Sequence, residues 1–260
     1  MVAPNIPQAA AVGNYADVNG MRMYYELSGN GPALILLHGG AGTCRMWDRY
    51  TPMLTQHFCT MMPDSRAHGR SDNPAGTLSY HTMADDIAEL VRVLSLDRPL
   101  IVGYSDGGGI GLELAIRYPG VARAYVMGGV SYRSTGMGGT GDEGMAAIEQ
   151  WLSSMVPGWR EPHDLFHGPD YWKTLLKQLY ALWNSPFEYG AAELGQIREP
   201  TLILLGDRDE VNPLDQSVEM YRMIPNAELA IMPGAKHTSI LPYSEVFASL
   251  LLDFLSRHSS

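Results

Sequence analysis

Ser105 lies at the centre of Gly103-Tyr104-Ser105-Asp106-Gly107, and its hydroxyl is the group most suited to covalent chemistry in this chain. The flanks give the five residues meaning. Leu100 to Val102 is a short apolar run that reads as a buried strand, and a helical pattern at Ile110, Leu112, Leu114 and Ala115 follows. Strand, Gly-x-Ser-x-Gly, helix is the setting of a nucleophile elbow, in which the glycines permit a tight turn that lifts the serine clear of the backbone. The start of the helix adds partial positive charge beneath it.

A serine hydroxyl is a weak nucleophile near neutral pH and needs a base within hydrogen-bond reach. That base must itself be oriented, usually by a buried carboxylate. Both partners should lie at the C-terminal ends of strands, where the elbow opens. Two late loops meet the condition. One is Gly206-Asp207-Arg208-Asp209-Glu210-Val211-Asn212-Pro213, after an apolar run at Thr201 to Leu205; the other is Pro233-Gly234-Ala235-Lys236-His237, after Ala227 to Met232.

The elements that must carry these residues follow from hydrophobic periodicity. Tyr15 to Val18 and Met21 to Leu27 flank Asn19-Gly20, a hairpin signal, so the sheet is expected to begin antiparallel. Ala33 to Leu37 is continuously apolar, as a strand covered on both faces should be, and ends in His38-Gly39-Gly40-Ala41-Gly42. A helix around Met46 to Thr55, a strand at Thr60 to Met62 and the loop Pro63 to Ser71 come next. Met83 to Leu94 reads as an amphipathic helix with Asp85 and Asp86 in its first turn. After the elbow helix, Ala122 to Met127 is a further strand. Strand–helix alternation of this kind predicts a mostly parallel, doubly wound α/β sheet.

Between 131 and 196 the alternation stops. A Gly-rich run at Gly136 to Gly144, suited to an inert loop or a lid hinge, precedes helices near Glu143 to Met155, Tyr171 to Trp183 and Phe187 to Leu194. This stretch is expected to be a helical cap inserted into a core formed by 14–130 and 197–260. Helix Pro213 to Met223 and a closing helix from Ser244 to Ser256 complete the core. Residues 1–13 read as a loose leader.

With 260 residues, a net charge of −10 and a pI near 5.2, nucleic acid and anionic membrane surfaces are poor partners. No run approaches the length of a membrane span. The start of the chain has neither a basic nor a continuously apolar segment of the secretory kind, so a cytoplasmic location is expected, with Cys44 and Cys59 as free thiols rather than one bridge. Neither cysteine lies in a ligand-like cluster and the histidines lack His-x-x-x-His spacing, so no metal or other cofactor is expected.

His38-Gly39-Gly40, Asp64-Ser-Arg-Ala-His-Gly-Arg-Ser71, Gly103-Tyr-Ser-Asp-Gly107, Gly206-Asp-Arg-Asp209 and Gly234-Ala-Lys-His237, in that order, resemble the motifs of the α/β-hydrolase fold family over nearly the whole chain from about residue 15. The resemblance implies Ser105 as nucleophile, His237 as general base and Asp209 as the orienting acid. Asp207, nearer the strand tip, is the rival. It also implies an oxyanion hole of two backbone N–H groups, that of Asp106 and one from the loop after Ala33 to Leu37, with Gly40 the choice and Ala41 next. His38, Arg66 and His68 are expected to brace loops. Relatives that break carbon–halogen bonds or epoxides use aspartate where Ser105 stands. A serine implies an acyl-enzyme and cleavage of an ester, thioester, lactone or amide, or of a ketone-flanked C–C bond.

The elbow also resembles the Gly-Trp-Ser-Asp-Gly-Gly of valacyclovir hydrolase-like enzymes, in which the aspartate selects an α-amino group on the acyl part. Asp106 either does the same here or braces the elbow. Among the cap aromatics, Trp151, Trp159, Tyr180 and Trp183, with Met137, are candidates to line an apolar substrate pocket. The expected function is that of a carboxylesterase acting on a small, largely apolar ester or lactone. The alternatives are a C–C hydrolase or cofactor-free perhydrolase on the same residues, or a ligand receptor without useful turnover. Oligomeric state does not follow from the chain.

Overall fold

The structure, a computed structural model, describes residues 12–136, 140–238 and 245–259. Its centre is an eight-stranded sheet built from β1 (Val12–Val18), β2 (Met21–Ser28), β3 (Ala33–Leu37), β4 (Cys59–Pro63), β5 (Leu100–Tyr104), β6 (Ala124–Gly128), β7 (Thr201–Gly206) and β8 (Ala227–Met232). The spatial order is β1-β2-β4-β3-β5-β6-β7-β8. β2 pairs antiparallel with both β1 and β4, and every other pairing is parallel. The hairpin turn puts Asn19 and Gly20 at φ +46° and +76°, the left-handed pair such a two-residue turn requires. The sheet starts earlier than the sequence suggested: Val12 and Gly13 pair with Leu27 and Glu26 as part of β1. Residues 1–11 of the expected leader lie outside the described residues.

Helices cover both faces, which is why the central strands carry apolar residues at every position. Ile35, Leu37, Ile101, Tyr125, Met127 and Ile203 face α2 (Tyr80–Val93), α3 (Asp106–Arg117) and α8 (Leu214–Met223). The alternating neighbours Leu34, Leu36, Leu100, Val102, Val126 and Leu202 face α1 (Thr51–Leu54) and α9 (Glu245–Arg257). On α9, Phe247, Leu251, Phe254 and Leu255 form one buried stripe. Each such side chain contributes about 1.5–3 kcal/mol when buried.

Between β6 and β7 the chain forms α4 (Gly141–Met155), α5 (Glu161–His167), α6 (Tyr171–Asn184) and the short α7 (Ala191–Leu194). Among the described residues this insertion has no strand, only an isolated bridge between Arg133 and Glu188. α5 was missed from sequence, although Pro162 in its first turn and Gly168 at φ +97° just past its end are start and stop signals. The helix expected from Phe187 to Leu194 shrinks to α7, because the Glu188 bridge holds the preceding residues extended and Gly190 opens the helix.

Two other expectations need correction. Met46 to Thr55 is not one helix: a 3-10 turn at Cys44–Trp47 and α1 divide it, since Pro52 has no N–H to continue a ladder. α2 begins three residues before Met83, capped by the Ser79 hydroxyl, which accepts from the Thr82 N–H. Asp85 and Asp86 therefore lie beyond its first turn. Asp86 accepts two hydrogen bonds from Arg66, at 2.8 and 2.7 Å, and Asp85 accepts from Arg117 and Tyr118. Cys44 and Cys59 are free thiols. Among the described residues no helix is long and apolar enough to cross a membrane.

Candidate active site

Ser105 joins β5 to α3 at φ +56°, ψ −121°, a conformation that L-residues rarely adopt. Its N–H donates to Gly128 O at 2.8 Å, and its carbonyl accepts from the Gly109 N–H at 3.0 Å. The flanking glycines are steric necessities. A Cβ on Gly103 would lie 2.0 Å from Gly107 O, and one on Gly107 would lie 2.2 Å from Leu37 O. The backbone itself fills the space, so the turn closes with the Ser105 side chain facing the ends of the strands.

The structure brings Ser105, His237 and Asp209 together although they are far apart in sequence. His237 Nε2 lies 3.0 Å from Ser105 Oγ, and His237 Nδ1 lies 2.8 Å from Asp209 Oδ2. The carboxylate keeps the ring proton on Nδ1, leaving the Nε2 lone pair to accept from the serine hydroxyl. Asp209 is itself fixed, because its Oδ1 accepts from the Val211 and Asn212 N–H groups at 2.9 and 2.8 Å. Asp207 does something else. Its Oδ1 accepts from the Gly234 N–H at 2.5 Å and its carboxylate lies 3.9 Å from Arg208, so it ties the two loops together beside the site.

Two residues of this group were not found from sequence. Tyr104, buried beside the elbow, donates its hydroxyl to the carbonyl of His237 at 2.6 Å. Glu210 accepts from the His237 N–H at 3.2 Å. Both act on the backbone of His237, a role that no short motif announces.

On the other side of Ser105 the loop after β3 closes in: a Cβ on Gly39 would lie 3.2 Å from Ser105 Cβ. Its N–H groups have distinct fates. That of Gly39 points at Met46 Sδ (3.2 Å), that of Ala41 donates to His68 Nε2 (3.2 Å) and that of Gly42 donates to Gly39 O (3.0 Å). Among the described residues the Gly40 N–H has no acceptor, and neither has the N–H of Asp106 at the first position of α3. Ala41, the second choice for a donor, is therefore already engaged. His38 supports the loop as expected: its Nε2 accepts from the Ser65 N–H at 2.9 Å, which leaves Nδ1–H to donate to Gly39 O at 2.8 Å. Burial lowers the pKa of His38 and, more strongly, of His68. Arg66 is buried in its ion pair with Asp86.

Asp106 turns its carboxylate away from the elbow towards the inserted helices. Tyr80 donates to Oδ1 at 2.8 Å, and Trp183 Nε1 lies 2.9 and 3.1 Å from the two oxygens. Burial raises its pKa, although both donors oppose that shift. The same carboxylate crowds the neighbouring loop, for a Cβ on Gly40 would meet Asp106 Oδ2 at 2.4 Å and Trp183 at 2.5 Å.

Two chambers meet at Ser105. The smaller, about 80 Å³, is bordered by Tyr80, Asp106, Ser131 and Asn212. The larger, about 460 Å³, is bordered by Gly40, Met46, Leu152, Met155 and His237. Ser105, Trp151 and Trp183 border both. The two indoles meet edge to face at 6.3 Å and 89°. Trp159 touches the larger chamber but is only 3% exposed and packs edge-on against Trp172, so it belongs chiefly to the core of the insertion. Tyr180 borders neither chamber and packs against the core instead. Met137 lies outside the described residues, as do 138 and 139 of the Gly-rich run.

Known proteins match over most of this length. Residues 34–250 fit the family model described as the alpha/beta hydrolase family. Putative carbamate hydrolase RutD of Stutzerimonas stutzeri is 29% identical over 263 residues, covering 90% of this chain and 97% of that one. Serine hydrolase BPHL of Mus musculus is 26% identical over 271 residues, covering 96% and 91%. Uncharacterized protein Rv2715 of Mycobacterium tuberculosis is 34% identical over 105 residues, but the match spans only 31% of its length. The meta-cleavage product hydrolase of Pseudomonas fluorescens IP01 superposes with a TM-score of 0.78 over 95% of this chain and 98% of that one, at 21% identity, a likeness of fold. The chain belongs to the alpha/beta hydrolase family.

Proposed function

We propose that the protein is a serine hydrolase of carboxylesterase type, cleaving a small, largely apolar ester or lactone through an acyl-enzyme. The observation that carries this is the unbroken chain from Ser105 Oγ to His237 Nε2 at 3.0 Å and from His237 Nδ1 to Asp209 at 2.8 Å. The N–H groups of Gly40 and Asp106, without an acceptor among the described residues, support the same reading.

The steps follow from these positions. Ser105 Oγ adds to the substrate carbonyl as its proton passes to His237 Nε2, and Asp209 stabilises the imidazolium. The carbonyl oxygen, now negative, takes hydrogen bonds from the Gly40 and Asp106 N–H groups, an interaction whose loss costs about 3–4 kcal/mol of barrier. His237 then gives its proton to the departing alcohol oxygen, and water repeats the cycle on the acyl-enzyme.

Because His237 must reach the leaving oxygen, the alcohol part belongs on its side, in the larger chamber. The acyl part then enters the smaller chamber beside Asp106. A short acyl group on an apolar alcohol fits this division. Ser105→Ala should abolish hydrolysis of p-nitrophenyl acetate and butyrate and labelling by a fluorophosphonate, with the circular dichroism spectrum unchanged. Retained turnover or retained labelling would reject the assignment.

One observation favours a narrower acyl class. The Asp106 carboxylate borders the acyl chamber, and among the described residues its hydrogen-bond donors, Tyr80 and Trp183, are both neutral. Arg133, which borders the same chamber, lies 3.6 Å from Glu219. An ammonium on the acyl part would bring a countercharge to Asp106. Asp106→Asn should then lose activity selectively on amino-acyl esters; equal losses on acetyl and amino-acyl esters would reduce Asp106 to a brace.

A further inference from the structure

The loop that carries Gly40 contains an anomaly: Ala41 sits at φ +57°, in the left-handed region that favours glycine. A non-glycine residue keeps that conformation only where its surroundings hold it. Both polar groups of Ala41 are held by histidine rings. Its N–H donates to His68 Nε2 at 3.2 Å, and its carbonyl accepts from His163 Nε2–H at 3.1 Å.

The tautomer of His163 is set by its other nitrogen. Nδ1 accepts from the Gly69 N–H at 2.9 Å, so the proton resides on Nε2 and can be given only to Ala41. His163 is fully buried, and burial pushes its pKa down to about 4, so it stays neutral at ordinary pH. His68, at a centroid distance of 5.7 Å, and Trp159, at 6.4 Å, pack by its ring, and the charges of His38, His167 and the Asp64 carboxylate act on it. His163 comes from α5 in the insertion, 122 residues beyond the carbonyl it holds.

We propose that His163 is a positioning residue for the oxyanion-binding loop: through its hydrogen bond to the Ala41 carbonyl, the insertion sets the orientation of the adjacent Gly40 N–H. The proposal rests on the serine-hydrolase reading. His163 touches no reacting atom. It fixes the peptide after Ala41, as His68 fixes the one before it. Together they restrain the turn that carries the Gly40 N–H, the donor of this loop that has no acceptor among the described residues.

Two amide replacements separate its two bonds. In His163→Gln the side-chain NH2 falls near the original Nε2 and can still donate to Ala41. In His163→Asn the shorter amide falls near Nδ1, keeping Gly69 and losing Ala41. Tyr171→Phe is the control, since Tyr171 also ties the insertion to the core, through the Ala67 carbonyl at 3.2 Å, a bond that leaves both hydrogen bonds of Ala41 in place. With p-nitrophenyl butyrate, His163→Asn should lower kcat about 10- to 100-fold with KM within about twofold, the scale of a small misplacement in an active site. His163→Gln should retain most of kcat, and Tyr171→Phe all of it.

Affinity for an alkyl trifluoromethyl ketone should fall with kcat in His163→Asn. Ser105 Oγ adds to the carbonyl carbon of this ketone as the serine proton passes to His237 Nε2, leaving the ketone oxygen as an anion, so the adduct reports on the hole directly. In the wild-type protein the His163 Nε2–H proton resonance should move when the adduct forms, a measurement that needs no variant to fold. An Asn variant with wild-type kcat overturns the proposal. So do equal losses in the Asn and Gln variants, an equal loss in Tyr171→Phe, or an unmoved resonance. If the wild type neither hydrolyses the ester nor reacts with a fluorophosphonate, the serine-hydrolase reading itself fails.

Discussion

The two walls beside Ser105 are built in different ways. The His237 wall is assembled from the tips of strands β5, β7 and β8, and its main restraints are local. The Asp209 carboxylate is held by amides two and three residues ahead, and Asp207 ties its own loop to the next. The Gly40 wall is assembled from distant parts. Its loop follows β3, and its restraints come from His68 on the 64–71 loop and His163 on α5. The groups that would move protons are fixed by their own neighbourhoods, whereas the group that would receive the oxyanion is fixed by agreement among three segments.

The sharpest test of that contrast is to remove a group from each wall. Ser105→Ala or His237→Ala should cost about 10⁶-fold in kcat, because such groups act as a unit. Asp209→Asn should cost about 10⁴-fold. Asp207→Asn removes only a loop tie, and kcat should stay within about threefold, with a loss of stability near 1 kcal/mol. Steady-state kinetics with p-nitrophenyl butyrate and urea unfolding measure both. An Asp207 variant as damaged as the Asp209 variant would show that the two loops work together rather than separately.

The legibility of the sequence divides along the same line. Ser105, Asp209 and His237 each sit inside a few residues of recognisable turn chemistry, and their strands carry the apolar runs that place them. His163 is a single histidine on a helix with no motif. Its meaning lies wholly in Ala41 and Gly69, which are remote in sequence. α5 itself went unread because only seven residues, opened by Glu161-Pro162, separate its ends. Tyr180 misled for the opposite reason. Helical spacing groups it with Trp183, yet only the tryptophan reaches the chambers.

Acid should find the Gly40 wall first. Burial holds His163 near 4, and His38 and His68 are also lowered from an ordinary value of 6.5. Below about pH 6.5 the unfolded chain takes up protons that the folded protein refuses, so stability is complete above that pH and declines towards pH 4. His163 alone accounts for about 3 kcal/mol across the window. Thermal unfolding between pH 7 and 4 should show a falling Tm, less steep in His163→Gln. A slope unchanged by that substitution would place the acid sensitivity elsewhere. The smallest expected effect is that of Tyr171→Phe, about 1 kcal/mol or less in unfolding free energy.

Trp151 and Trp183 stand between the two chambers and face both of them. They are in effect a party wall, and neither room can be enlarged at that point without altering the other. Tolerance for bulk in the two chambers is thus a single evolvable trait at these positions. Trimming Trp183 would also strip Asp106 of its indole donor, so any gain in breadth would bring a change of polarity with it.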